Sequence, residues 1–178
     1  NYATKKAYDG VHNQTAELEI MAKDTLKVRM VGNEELSNQR ELRRRFSFEN
    51  VYDGEIKKLY STRINVDIKP TNKNSAFIKI RKESEGNNLL TANKDAEAIE
   101  YQFSLNNRDL LLNGYFLSDF KNKFKEQLAE ITLYLPLNTV IYIDNSTRTF
   151  LSNVSNIQNI RDHDMPKHYY RMTENGLE

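Results

Sequence analysis

Apolar and polar residues alternate with a period of two along most of the chain, the pattern of strands that bury one face. Leu18 and Ile20 alternate with Glu17 and Glu19, Ala22-Lys23-Asp24 interrupts, and Leu26, Val28 and Met30 then alternate with Lys27 and Arg29. These two runs read as a β-hairpin. Further strands are expected over Leu42 to Phe48, Glu55 to Tyr60, Arg63 to Lys69 and Ala76 to Arg81, with Pro70-Thr71-Asn72-Lys73-Asn74 providing turn chemistry before the last. Tyr101, Phe103 and Leu105, followed by Asp109 to Phe116, predict a second hairpin around Asn106-Asn107. Leu128 to Leu135 and Thr139 to Asp144 complete the set, separated by Pro136. One short helix is predicted over 91–99, where Thr91 is a plausible N-cap and Ala92, Ala96 and Ala98 are strong formers.

Residues 1–15 are polar and without period, so they read as a loose N-terminal arm before a single mainly-β domain over 16–178. Strands recur roughly every eight to fifteen residues, which is all-β spacing. A sandwich, a roll and a β-solenoid all fit, and no internal repeat period decides among them.

Composition narrows the chemistry. The chain has 178 residues, 38% of them hydrophobic, enough for one core. Lys plus Arg number 26 against 25 Asp plus Glu, so no dominant polyanion-binding surface and no nucleic-acid partner are expected. The absence of Cys removes disulfides, thiolate nucleophiles and Cys-based metal sites. Gly is scarce at six residues while Asn is abundant, which makes Asn the candidate for turn positions that need positive φ. No run approaches the ~20 apolar residues of a membrane span. The start at Asn1, not Met, leads to the expectation of a processed or excised product.

Candidate sites are few. Asp162, His163, Asp164 and His168 offer oxygen and nitrogen ligands that zinc or nickel use, but their spacing gives no common facing, and a solvated tail is the stronger reading. Arg40, Arg43, Arg44 and Arg45 form the strongest basic run and a candidate interaction patch; acidic neighbours favour a charged edge strand there. No phosphate loop, nucleophile elbow or His-Glu-x-x-His motif is present. Carboxylates are plentiful, yet no acid and base pair stands out, because such a pair is defined in space. No cofactor is expected.

The segments INVDIKPTNKNSAFIKIRKESEG, AIEYQFSLNNRDLLLNGYF, KNKFKEQLAEITLYLPLNTVIYIDN and HYYRMTENGLE, in that order, carry a resemblance. Together they resemble the C-terminal region of Bacteroidetes membrane proteins that bear an N-terminal phage-shock-protein-C (PspC) domain, over roughly Thr25 to Glu178. The resemblance implies a soluble tail that follows transmembrane helices, hence a missing N-terminal anchor and a place in the bacterial envelope, anchored in the inner membrane and facing the extracytoplasmic side. It also implies adhesin-like β-helix character, favouring a β-solenoid stack over an antiparallel sandwich or roll. The function it implies is a non-enzymatic sensing, scaffolding or protein-interaction module in envelope stress, with protein partners or self-association. The rival expectation is a carbohydrate-binding or hydrolase domain using paired carboxylates and exposed Tyr.

Overall fold

The structure, a computed structural model, describes residues 7–32, 48–53 and 56–178. Its elements in chain order are β1 (Tyr8–Met21), β2 (Thr25–Val31), β3 (Phe48–Asp53), β4 (Ile56–Ser61), β5 (Ile64–Thr71), β6 (Ser75–Gly86), α1 (Leu89–Glu97), β7 (Phe103–Asn106), β8 (Asp109–Asn113), β9 (Phe116–Asp119), β10 (Gln127–Pro136), β11 (Val140–Ile143), β12 (His168–Thr173) and β13 (Gly176–Leu177). Three sheets result, ordered β1-β6-β10-β5, β13-β12-β11-β2-β8-β7 and β3-β4-β9.

Alternation does what the pattern predicts within β2, β6 and β10. Ala76, Ile78 and Ile80 of β6, Ala129, Ile131, Leu133 and Leu135 of β10, and Leu26, Val28 and Met30 of β2 are all buried in one core shared by the four- and six-stranded sheets. Each full Ile, Leu or Val side chain so buried contributes about 1.5–3 kcal/mol of transfer free energy. The three-stranded sheet is appended, with Tyr60 stacked on Tyr115 at 5.1 Å in a satellite cluster.

The β-solenoid expectation is wrong. A solenoid stacks successive coils so that each contacts only its neighbours. Here β1 and β6 pair antiparallel, as do β6 and β10, across long sequence separations. The wholly antiparallel sandwich or roll also fails, because β5 with β10, β11 with β2, and β2 with β8 are parallel pairs. The molecule is mainly β in several mixed sheets, with one α-helix among the described residues.

The expected hairpin of residues 16–30 is a corner. β1 belongs to the four-stranded sheet and β2 to the six-stranded one, so Leu18 and Ile20 meet Leu26 and Val28 across the core and not side by side. Asp24 makes the corner: its carboxylate accepts the Met21 N–H at 2.8 Å and its own N–H donates to the Met21 carbonyl at 3.1 Å, with Lys23 at φ 70°. The second hairpin forms, with Asn106 opposite Asp109 and Asn107 at φ 57°, but its second strand ends at Asn113 and Phe116 opens β9 in the three-stranded sheet. Asn138, Asn153 and Asn159 also take positive φ, so Asn fills the role that scarce Gly leaves open.

The strand over residues 8–21 begins well inside the segment expected as a loose arm. The predicted strand over Leu42 to Phe48 and the basic run Arg40, Arg43, Arg44 and Arg45 lie, but for Phe48, outside the described residues. Pro70 is inside β5, which is tolerated because β5 is the edge of its sheet and the missing N–H costs no ladder bond there.

The helix starts two residues before its expected position. Asn88, not Thr91, is the N-cap, its side-chain oxygen accepting the Thr91 N–H at 2.9 Å. Ala92 and Ala96 face inward, and Gly10 and Gly86 let α1 lie directly on β1 and β6: a Cβ at Gly10 would come within 2.0 Å of the Ala92 carbonyl carbon.

Candidate functional site

The outer face of the six-stranded sheet gathers side chains from five strands into one row. Strand register sets Tyr169 opposite Tyr142, Tyr142 opposite Lys27, Lys27 opposite Asp109, and Asp109 opposite Asn106. Outward facing follows from period two: Ile141, Ile143, Tyr170 and Met172 turn into the core, so Tyr142 and Tyr169 must turn out. The two rings meet at 4.8 Å between centroids with a 55° tilt, Tyr169 is 67% exposed, and Lys27 Nζ lies 5.7 Å from the Tyr142 centroid. An open groove of about 690 Å³ runs along this row, with Thr25, Asn107 and Arg108 on its walls.

Charge in the groove is incompletely matched. Arg29 Nη2 stands 3.8 Å from Asp109 Oδ2, a loose pair, while Arg29 Nε and Asp109 Oδ1 are shielded from water without a hydrogen-bond partner among the described residues. Arg108 reaches Asp24 at 3.0 Å. Asp144, at the end of β11, is held below the usual carboxylate range. The Ser146 hydroxyl, donating at 2.6 Å, is the main cause; burial opposes it, and the Ser146 amide and the charges of Lys27 and Arg29 add to it. The arrangement is a polar and aromatic face, with the half-buried Tyr142 and exposed Tyr169 at one end and donors and acceptors of β2, β8 and β7 at the other.

A second region lies at one end of the four-stranded sheet. Asp95 of α1 is 3% exposed and is bound by Lys125 at 2.7 Å and Lys121 at 3.2 Å, which ties the helix to the loop between β9 and β10. Burial alone would raise its pKa, but the hydrogen bonds and charges of the two lysines outweigh that and leave it lowered. Beside this loop a pocket of about 310 Å³ is lined by Leu59, Phe116, Phe124 and the buried polar groups Ser61, Asn122 and Gln127. Glu126 is the one carboxylate among its described lining residues.

Of the residues singled out from sequence, Asp162 binds the chain itself. Its two oxygens accept the backbone N–H groups of Asn153 at 2.7 Å and Val154 at 2.9 Å. His163 and Asp164 share its short 3-10 turn, whereas His168 is on β12 opposite Ile143 and stands edge-on to Tyr170. Among the described residues no group of three or more His, Asp or Glu is placed to hold a metal. Two carboxylates, Glu17 and Glu19, line a groove of about 520 Å³ with Phe103 and Arg108, and both are exposed. Tyr134 is far from the tyrosine row, stacked on Phe77 at 4.5 Å on the outer face of the other sheet. The tyrosine row itself escaped sequence reading, although the alternation in His168 to Thr173 already turns Tyr169 outward; its pairing with Tyr142 required the fold.

The geometry can be set against known proteins. A family model described as ToastRack found in some PspC matches residues 51–178, more than two thirds of the chain. The match begins later than Thr25 and contains every segment that carried the resemblance. No curated protein and no solved structure matches.

Proposed function

The chain belongs to the family of ToastRack domains found in some PspC proteins, and from that premise we propose that it is the interaction tail of a membrane-anchored envelope protein. It works by binding a protein partner on the extracytoplasmic side and coupling that contact to the envelope stress response. The observation that carries this reading is the tilted Tyr142–Tyr169 pair, with Tyr169 67% exposed, in an open groove with Lys27 and Asp109. Protein interfaces are enriched in Tyr and Arg, and the Tyr169 ring and the Arg108 guanidinium both border this groove.

Site-specific photocrosslinking tests the reading. A photoreactive residue at Tyr169 in the membrane-embedded full-length protein is expected to give discrete adducts that Tyr142→Ser weakens. The same probe at Phe77, on the other sheet, is expected to give none. Absence of adducts from position 169, or equal adducts from both positions, would overturn it. The tilted tyrosine pair next to Asp109 and Asn106 also suits stacking on a sugar ring, and loss of the adducts on adding soluble glycan would favour that second reading.

A further inference from the structure

Phe124 stands almost entirely in water, 88% exposed, on the loop between β9 and β10. Such exposure forgoes the burial that aromatic side chains normally gain. Lysines flank it and its neighbour Phe120. Lys123 Nζ is 5.3 Å from the Phe124 ring centroid and 5.6 Å from that of Phe120, whose ring Lys57 also covers at 4.2 Å. Lys121 and Lys125 extend from the same loop onto Asp95. Lys121 and Lys125 are taken up by Asp95, and the Glu85 carboxylate accepts the Glu126 N–H at 3.3 Å at the base of the loop, so the cations at the aromatic tip itself are Lys57 and Lys123.

Other apolar side chains share this end of the molecule. The Glu85 N–H donates to the Glu126 carbonyl at 3.0 Å, which sets the loop beside the end of β6; α1 begins three residues beyond β6, with Leu89 55% and Leu90 66% exposed. Tyr8, paired with Gly86 and 40% exposed, opens β1 there. Four of the seven large apolar side chains exposed among the described residues are thus at one end of one sheet.

We infer that this end docks on an anionic lipid surface, Phe124 entering the headgroup region while Lys57 and Lys123 meet the lipid phosphates. An apolar projection with Lys123 beside it and Lys57 over the neighbouring Phe120 matches the layering of such a surface, where charge lies above hydrocarbon and lysine stems lie along the boundary. Phe124 also lines the pocket that holds Leu59 and Phe116, yet its ring is 88% exposed with Lys123 Nζ 5.3 Å from its centroid. The family's occurrence in some PspC proteins provides a membrane context, and the inference does not depend on the tyrosine face.

The chain has no Trp, so Phe124→Trp adds a single reporter. With phosphatidylglycerol vesicles at low salt its emission is expected to shift to the blue and to be quenched by brominated acyl chains. Binding is expected to be roughly ten-fold weaker for phosphatidylcholine vesicles, at high salt, or with Lys57→Glu and Lys123→Glu combined. A Tyr169→Trp reporter is expected to stay unshifted. No shift with anionic vesicles, or an equal shift with neutral ones, would overturn the inference.

Discussion

Asp95→Asn isolates the electrostatic contribution that holds α1 to the β9–β10 loop. The bond from Lys125 is short, at 2.7 Å, and its lysine side chain is 24% exposed against 4% for the carboxylate. A charge-assisted bond in that setting is worth about 2 kcal/mol. The Lys121 bond, at 3.2 Å from a side chain 61% exposed, is worth about 0.5 kcal/mol after solvent screening. Asn keeps the volume and a neutral acceptor, which returns part of this, so the expected loss at neutral pH is about 1.5–2 kcal/mol. The sign of the pH dependence follows from the lowered pKa of Asp95. The stabilisation is fully present above the ordinary carboxylate value of 3.8 and disappears as pH falls through the lower value of the folded state. Urea unfolding of both proteins from pH 7 down to pH 2.5 measures it: the gap should hold at neutral pH and close below pH 3.8. A gap under about 0.5 kcal/mol at pH 7, or one that persists unchanged in acid, would refute the electrostatic account.

Three further outcomes are expected. Gly10→Ala drives a Cβ to 2.0 Å from the Ala92 backbone and should cost about 1–3 kcal/mol in thermal unfolding, whereas Gly32→Ala, with nothing within 4 Å, should change it by less than about 0.5 kcal/mol. Asp162→Ala leaves the Asn153 and Val154 N–H groups without their acceptor and should lower stability by about 1–3 kcal/mol, while adding zinc or a chelator to the unaltered protein should leave its melting temperature in place. Lys82 is 5% exposed and its pKa is lowered, chiefly by burial, against the raising charges of Glu97 and Glu100; Lys82→Met should therefore raise stability by about 0.5–1 kcal/mol in urea unfolding, and a loss would show that its charge is well compensated.

Much of the fold was legible one strand at a time. The inward residues of β2, β5, β6 and β10 are those that alternation selects, because a period of two is a property of neighbouring residues alone. The hairpin at Asn106-Asn107 was equally legible, since its turn chemistry sits between its strands. Residues 16–30 show where the argument fails: two alternating runs around a short break look alike whether the strands pair or cross to opposite sheets. The site was less legible still. Asp162, whose stronger sequence reading is a solvated tail, proves to be a clamp on nearby backbone, and nothing local to Asp95 shows that Lys121 and Lys125 bury and pair it.

By itself the sequence determined a mainly-β chain with one short helix, Asn at its turns and a kinship carried by residues 64–178. The tertiary structure alone decided which strands pair, that three of the pairings run parallel, and that Tyr142 and Tyr169 share one exposed face. The physical reason is range. Alternation and turn propensity act over a few residues, whereas a parallel partner is chosen by burying side chains brought from distant segments into one core, and no local pattern records that choice.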